Sequence, residues 1–218
     1  MLVLALDAAL GRCSAAVVRD GITLAEHRLD NERGQASALP GLVQRVLTGA
    51  AVAPPELDAV AVTVGPGSFT GVRAALALGH GLAQAAGRPV VGVSVAEALA
   101  EACAVGDRAV WTAIDSRRGR VFIGIAGGWL AVGLDALPPA NRPVAVAGDA
   151  AIAVAARLAA RGDDVMLTDA RLPLARHVAA AAARRLAGAL APLAAQPLYI
   201  DPPAATLPAG GLRPPPSP

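Results

Sequence analysis

The sequence contains no lysine: all 19 of its basic residues are arginine. A Schiff-base mechanism and the phosphate-clamping lysine of a Walker loop are therefore excluded at the outset. Aromatic side chains are also scarce, at 2% of 218 residues, which leaves little with which to stack nucleic-acid bases. The formal net charge is only +2, and the charges are scattered, so no phosphate-neutralising surface is expected. Any service to a nucleic acid should then run through a partner. Two cysteines, Cys13 and Cys103, fit no metal-ligand spacing and read as buried thiols in a reducing compartment. No stretch approaches the roughly 18 uninterrupted apolar residues of a membrane span. The opening MLVLALDAAL is apolar, but no basic region precedes it and Asp7 interrupts it, unlike a secretory leader. A cytoplasmic protein without membrane contact is expected.

What is present is a globular composition, 55% apolar and 17% charged, in a chain long enough to bury a sizeable core. LVLALD (2–7), CSAAVVRDG (13–21) and ITLAEHRLD (22–30) read as three strands, and Asp20 with Gly21 gives a strong hairpin signal between the last two. From Leu39 the apolar residues Leu39, Leu42, Val43, Val46 and Leu47 recur at helical spacing. Pro40 is expected in the first turn of that helix, or else as a kink. LDAVAVTVG (57–65) reads as a buried strand, 68–86 as a helix, 89–93 as a strand, and 95–104 as a helix capped by Ser94. The order is βββαβαβα.

After Gly106 the pattern partly repeats, with a hairpin across 116–119, a strand at 143–148, a helix at 150–160, a short strand at 164–169 and a helix at 175–189. This order predicts an α/β protein of the actin-like ATPase (ASKHA, ribonuclease-H-like) class, with two βββαβα-type subdomains, the second degenerate. The expected boundaries are 1–105, 106–201 and a Pro-rich mobile tail at 202–218.

The most distinctive stretch is TVGPGSFTGVRAALALG (63–79). Gly65 and Gly71 stand too far apart for a Walker loop, and Gly65, Gly67 and Gly71 miss the dinucleotide spacing by one residue. Two readings remain: a structural turn, with Pro66 fixing φ, Gly67 supplying a positive φ and Ser68 or Thr70 capping the helix, or a weak anion site at that helix's N-terminus. The helix itself is shaved to glycine and alanine, and each interior glycine costs about 1 kcal/mol relative to alanine. Close packing should compensate, either against the protein's own sheet or against another helix.

Other chemistry is thin. His27, His80 and His177 share no spacing and suggest no metal site, and Ser68 fits no nucleophile elbow. No catalytic residue, cofactor or metal is expected. Asp7 is followed by Ala8 and Ala9, which offer neither hydroxyls nor close backbone approach to a phosphate. An active actin-like kinase or ATPase, using Asp7 and the turns at Gly65 and Gly148, is the alternative reading.

GPGSFTGVR (65–73), after the fourth strand and before a Gly/Ala-rich helix, resembles the signature of the bacterial TsaB (YeaZ) family. LALDAALGRCSAAVVRDG, LPGLVQRVL, GVSVAEALA, AIDSRRGRVFIGIA (113–126) and QPLYI (196–200) extend the resemblance over about residues 1–201. It implies a non-catalytic partner in making N6-threonylcarbamoyladenosine at position 37 of tRNA. By the family picture the partner is the catalytic subunit TsaD, with the ATPase TsaE in the larger complex, a homodimer when alone, and tRNA reached only indirectly. The implied interface comprises Leu39, Leu42, Val43, Val46, Phe69, Val72, Arg73, Ala75, Leu76 and Gly79, launched by the signature turn Gly65, Pro66, Gly67, Ser68, Thr70 and Gly71. Four departures stand out. Ala8 and Ala9 replace the family's hydroxyl-bearing turn, NERGQASALP lacks the histidine common ahead of the first helix, Asp201 replaces the arginine of P-x-Y-x-R, and Arg120 replaces the glutamate of I-D-A-R-x-G-E-V-Y.

Overall fold

The computed structural model describes residues 1–30 and 34–201; the expected tail at 202–218 lies outside the described residues. Strands β1 (Leu2–Asp7), β2 (Cys13–Arg19) and β3 (Ile22–Leu29) form the antiparallel meander. Asp20 and Gly21 both take positive φ, 50° and 81°, as the two central residues of a type I′ hairpin turn require. β4 (Ala59–Gly65) pairs parallel with β1, and β5 (Val90–Ser94) with β4, giving the order β3-β2-β1-β4-β5.

The second sheet holds β6 (Ala109–Asp115), β7 (Val121–Ile125), β8 (Gly128–Val132), β9 (Val144–Ala147) and β10 (Val165–Leu167), ordered β10-β9-β6-β7-β8. Taken from its other edge, that is the same arrangement, and the α/β actin-like fold expected from the sequence is what the chain adopts. β8 is a strand the sequence did not reveal. It opens on glycine and only two of its residues, Leu130 and Gly128, stand exposed against three half-buried ones, so its alternation is too short and weak to register.

Five helices flank the sheets: α1 (Gln35–Gly49), α2 (Phe69–Ala86), α3 (Val95–Glu101), α4 (Ala151–Ala160) and α5 (Ala175–Leu186). The period of two along β1 sorts its side chains between two cores. Leu2, Leu4 and Leu6 pack with α1 and α2, whereas Val3 and Ala5 pack with Ala175, Val178, Ala179 and Ala182 of α5. The last helix therefore returns to cover the first sheet. Both faces of β1 are buried, which is why it reads as a continuous apolar run. α1 begins four residues before Leu39, so Pro40 falls one turn inside it and not in its first turn. Ser94 caps α3 as expected, in a reciprocal box in which its hydroxyl accepts from the Glu97 amide (3.2 Å) and the Glu97 carboxylate accepts from the Ser94 amide (2.8 Å).

Candidate functional site

The glycine turn joins β4 to α2 and sits against the β1–β2 turn. The left-handed backbone is at Gly65, φ 111°, and not at Gly67 as the sequence suggested. Gly67 is glycine for another reason: a Cβ there would stand 2.0 Å from the Ala9 carbonyl oxygen, and one at Gly71 would stand 2.0 Å from that of Ala8. The Ser68 amide donates to the Ala9 carbonyl at 2.7 Å, and the Ser68 hydroxyl caps α2 by accepting from the Gly71 amide at 3.1 Å. Carbonyl oxygens thus fill the approaches to both glycines. They would repel a phosphate there, so the geometry favours the structural turn over the anion site.

Asp7, at the end of β1, is fully buried. One carboxylate oxygen accepts from the Thr63 hydroxyl (2.6 Å) and the Ala9 amide (3.3 Å); the other, Oδ2, has no hydrogen-bond partner among the described residues. Burial pushes its pKa up to about 6, against the lowering effect of the Thr63 hydrogen bond. Among the described residues no group of three or more His, Cys, Asp or Glu side chains could hold a metal ion. Both cysteines are free thiols, Cys13 buried and Cys103 half-buried.

In front of the glycine turn lies a cleft of about 850 Å³. Its walls are the β1–β2 turn, the start of α2, the β6–β7 hairpin, Asp149 after β9 and the segment 197–201. Three of the five aromatic residues, Phe69, Phe122 and Tyr199, line it. The Arg73 guanidinium lies 3.6 Å from the Phe69 ring centroid and donates to the Tyr199 hydroxyl at 2.7 and 3.1 Å, a stacked and hydrogen-bonded arrangement that lysine could not reproduce. Leu198 donates its amide to the Val64 carbonyl (2.8 Å), and the Ala195 carbonyl lies 2.8 Å from His80 Nε2. The closing segment is in this way tied across β4 and α2. On the opposite wall the Asp149 carboxylate accepts from the Asp115 amide (2.9 Å), and burial raises the Asp149 pKa, with the Asp115 charge adding to the effect.

Two of the four departures from the family pattern meet where Asp201 lines this cleft. Arg120 donates to the Asp201 carboxylate at 2.8 Å. Where the family pattern carries an acid and an arginine, this chain carries an arginine and an acid, and here the two residues pair with each other. Each residue stands out in the sequence separately; they are 81 positions apart, and no local pattern links residues that distant.

The implied interface divides sharply. Leu39, Leu42, Val43 and Val46 are buried beneath the chain's own β2 and β3, and Val72, Ala75, Leu76 and Gly79 are buried against β4 and the rest of the same core. A Cβ on Gly79 would stand 2.4 Å from Val62 Cγ2. These eight are corrected from a partner surface to core: helical spacing reveals an apolar stripe but not what covers it. Phe69 and Arg73 remain exposed, on the cleft. The exposed outer faces of the two adjacent helices carry different residues, Gly41, Gln44, Arg45 and Thr48 on α1 and Ala77, Gly81 and Ala85 on α2.

Residues 30–159 match the family model described as "TsaD: tRNA N6-adenosine threonylcarbamoyltransferase". The chain is 37% identical over 124 residues to the Escherichia coli (strain K12) "tRNA threonylcarbamoyladenosine biosynthesis protein TsaB", covering 56% of this chain and 53% of that protein. It is 30% identical over 125 residues to the Bacillus subtilis (strain 168) protein of the same name, covering 57% and 55%. The matches span about half the length of these curated relatives. The solved structure of YeaZ from Pseudomonas aeruginosa superposes with a TM-score of 0.76 at 30% identity, covering 91% of this chain and 99% of that one. The chain carries the domain that the TsaD family model describes and belongs to the TsaB (YeaZ) family.

Proposed function

We propose that this chain is a non-catalytic partner subunit in the synthesis of N6-threonylcarbamoyladenosine on tRNA, docking on a TsaD-type catalytic subunit through the outer faces of α1 and α2. TsaE joins the larger complex, tRNA is reached only through the partner, and the same face pairs with a second copy when TsaD is absent. The names of the curated relatives support the pathway. One observation carries the docking face. Gly41 and Gly81 each lie inside a helix, exposed, and beyond the adjoining helix backbone and the two chain neighbours no atom stands within 4 Å of where a Cβ would be. Nothing in the chain itself requires glycine at either place, although each costs its helix about 0.5–1 kcal/mol relative to alanine. Ala77, Gly81 and Ala85 follow one another at i, i+4 and i+8, a line of small residues that lets a second helix approach closely.

The non-catalytic assignment rests on Asp7, which is sealed in the core, and on the glycine turn, whose approaches are filled by carbonyl oxygens. The test belongs on the outer face, because a charge at Val43 or Ala75 would strike the core and unfold the protein. Gly81→Glu is expected to abolish co-purification with the TsaD of the same organism while leaving the isolated chain folded by circular dichroism. Undiminished co-purification of a folded Gly81→Glu chain would remove the docking face from the proposal.

A further inference from the structure

Two of the five aromatic side chains stand in the open, and they stand together. Phe69 is 60% exposed and Tyr199 54%, whereas Trp111, Phe122 and Trp129 are buried or half-buried. Both exposed rings line the cleft in front of the glycine turn, and the exposed Arg73 guanidinium lies over both, 3.6 Å from the Phe69 centroid and 5.9 Å from that of Tyr199. Leaving that much ring in water forgoes the free energy that burial would return, and aromatic rings grouped around a fixed cation on a cleft wall are the makings of a binding surface. The groups that fix the cation are neutral. Arg73 Nε and Nη2 both donate to the Tyr199 hydroxyl, and among the described residues Arg73 has no carboxylate partner. Its charge is therefore uncompensated, and Nη1 takes no part in either bond.

The β6–β7 hairpin brings two more guanidinium groups, those of Arg117 and Arg118, to the same cleft. Arg117 lies 3.7 Å from the Asp115 carboxylate. The exposed Arg118 side chain has no ion pair or hydrogen bond among the described residues. Counting Arg120, which holds Asp201, four arginines (Arg73, Arg117, Arg118 and Arg120) meet three aspartates (Asp115, Asp149 and Asp201), a surplus of one positive charge. That surplus sets the charge of a fitting ligand. A phosphate monoester brings nearly two negative charges at neutral pH, and the carbonyl oxygens of Ala8 and Ala9 already fill the approaches to Gly71 and Gly67, where a longer phosphate chain would have to lie. A carboxylate brings one charge, and its plane matches the guanidinium fork. The cleft, at about 850 Å³, has the size of a small-molecule pocket.

We infer that this cleft binds a small aromatic carboxylate, its carboxylate on Arg73 Nη1 and its ring against the exposed rings of Phe69 and Tyr199, with Arg118 as a second cation at the mouth. The ring supplies the contact and the charge supplies the orientation, so neither part alone should bind well. This site goes beyond the subunit role proposed above. It lies on the cleft and not on the outer faces of α1 and α2, so either reading can fail without the other.

Tyr199 is the single tyrosine of the chain, so its ring signals in the NMR spectrum of the full chain report on this site alone. Titrated at constant ionic strength, naphthoate should shift them along a saturating curve. Acetate, an anion without a ring, naphthol, a ring without the charge, and AMP should each bind about tenfold more weakly or worse. Arg73→Gln should weaken naphthoate about tenfold and Phe69→Leu about threefold, with circular dichroism reporting the fold, while Gly81→Glu should leave it unchanged. Arg118→Gln, at the exposed hairpin, should weaken it about threefold and serves should Arg73→Gln not fold. A linear response to naphthoate, binding of naphthol or AMP as tight as that of naphthoate, or undiminished binding in a folded Arg73→Gln chain would overturn the assignment.

Discussion

The two sheets share one strand order but not one set of helices. β1, β4 and β5 of the first correspond in place to β6, β9 and β10 of the second, and Gly65 at the end of β4 and Gly148 just after β9 have the same φ of 111°. The first half follows its meander with the 15-residue α1; the second follows its meander with only a three-residue 3₁₀ turn at Leu134–Ala136. The aspartates that end β1 and β6 have also diverged. Asp7 is sealed in the core, whereas Asp115 is exposed and caps its own hairpin by accepting from the Arg117 amide at 2.8 Å. Strand order is therefore the part of this architecture that both halves need to fold. α4 joins β9 to β10 as α2 joins β4 to β5, so α1 is the helix that only the first half keeps, and the α1/α2 pair it forms is where exposed glycines with no internal use are found.

The correspondence between the halves can be broken most forcefully at its glycines. A Cβ at Gly148 would stand 2.1 Å from the Ala113 carbonyl oxygen, as one at Gly71 would from that of Ala8 at 2.0 Å. Gly71→Ala and Gly148→Ala should each cost about 3 kcal/mol or more in urea unfolding, because backbone must move in both. A loss below about 1 kcal/mol at either would mean that the two turns are not equivalent.

The aspartates give the next effect. The folded-state pKa of Asp7, about 6, exceeds the ordinary aspartate value of 3.8, so the folded chain binds the proton more tightly than the unfolded one. Stability should therefore fall as pH rises from about 4 to about 6 and then level off. Asp7→Asn, which can still accept from Thr63 and Ala9, should gain about 2–3 kcal/mol above pH 6 and lose that advantage below pH 4. Asp115→Asn should change stability by less than about 0.5 kcal/mol. A smaller contrast comes from Gly81→Ala, expected to stabilise the isolated chain by about 0.5–1 kcal/mol while weakening TsaD binding. Smallest is the Arg120–Asp201 ion pair, in which Arg120 is nearly half exposed. Reversing either Arg120 or Asp201 alone should cost up to about 1 kcal/mol, with Arg120→Glu and Asp201→Arg together restoring it.

How much of this was legible in the sequence depends on range. Asp20 and Gly21, Ser94 with Glu97, and the apolar spacing of α1 are local signals, and each marked its element. The cover over Leu39 and Val43, the return of α5 to the first sheet and the meeting of Arg73 with Tyr199 or Arg120 with Asp201 are contacts between distant positions, which periodicity does not encode. Glycine shows both limits at once. The sequence marked Gly71, Gly79 and Gly81 as alike, and only the packing separates the first two, pressed against the chain's own atoms, from the third, which faces outward.

The docking face is tested most directly by the mass, from light scattering, of the species formed when this chain is mixed with the TsaD of its own organism. The wild type should form a complex heavier than either component, and Gly81→Glu should leave the two proteins at their separate masses. A wild type that stays separate, or a Gly81→Glu chain that assembles as well as the wild type, would contradict it.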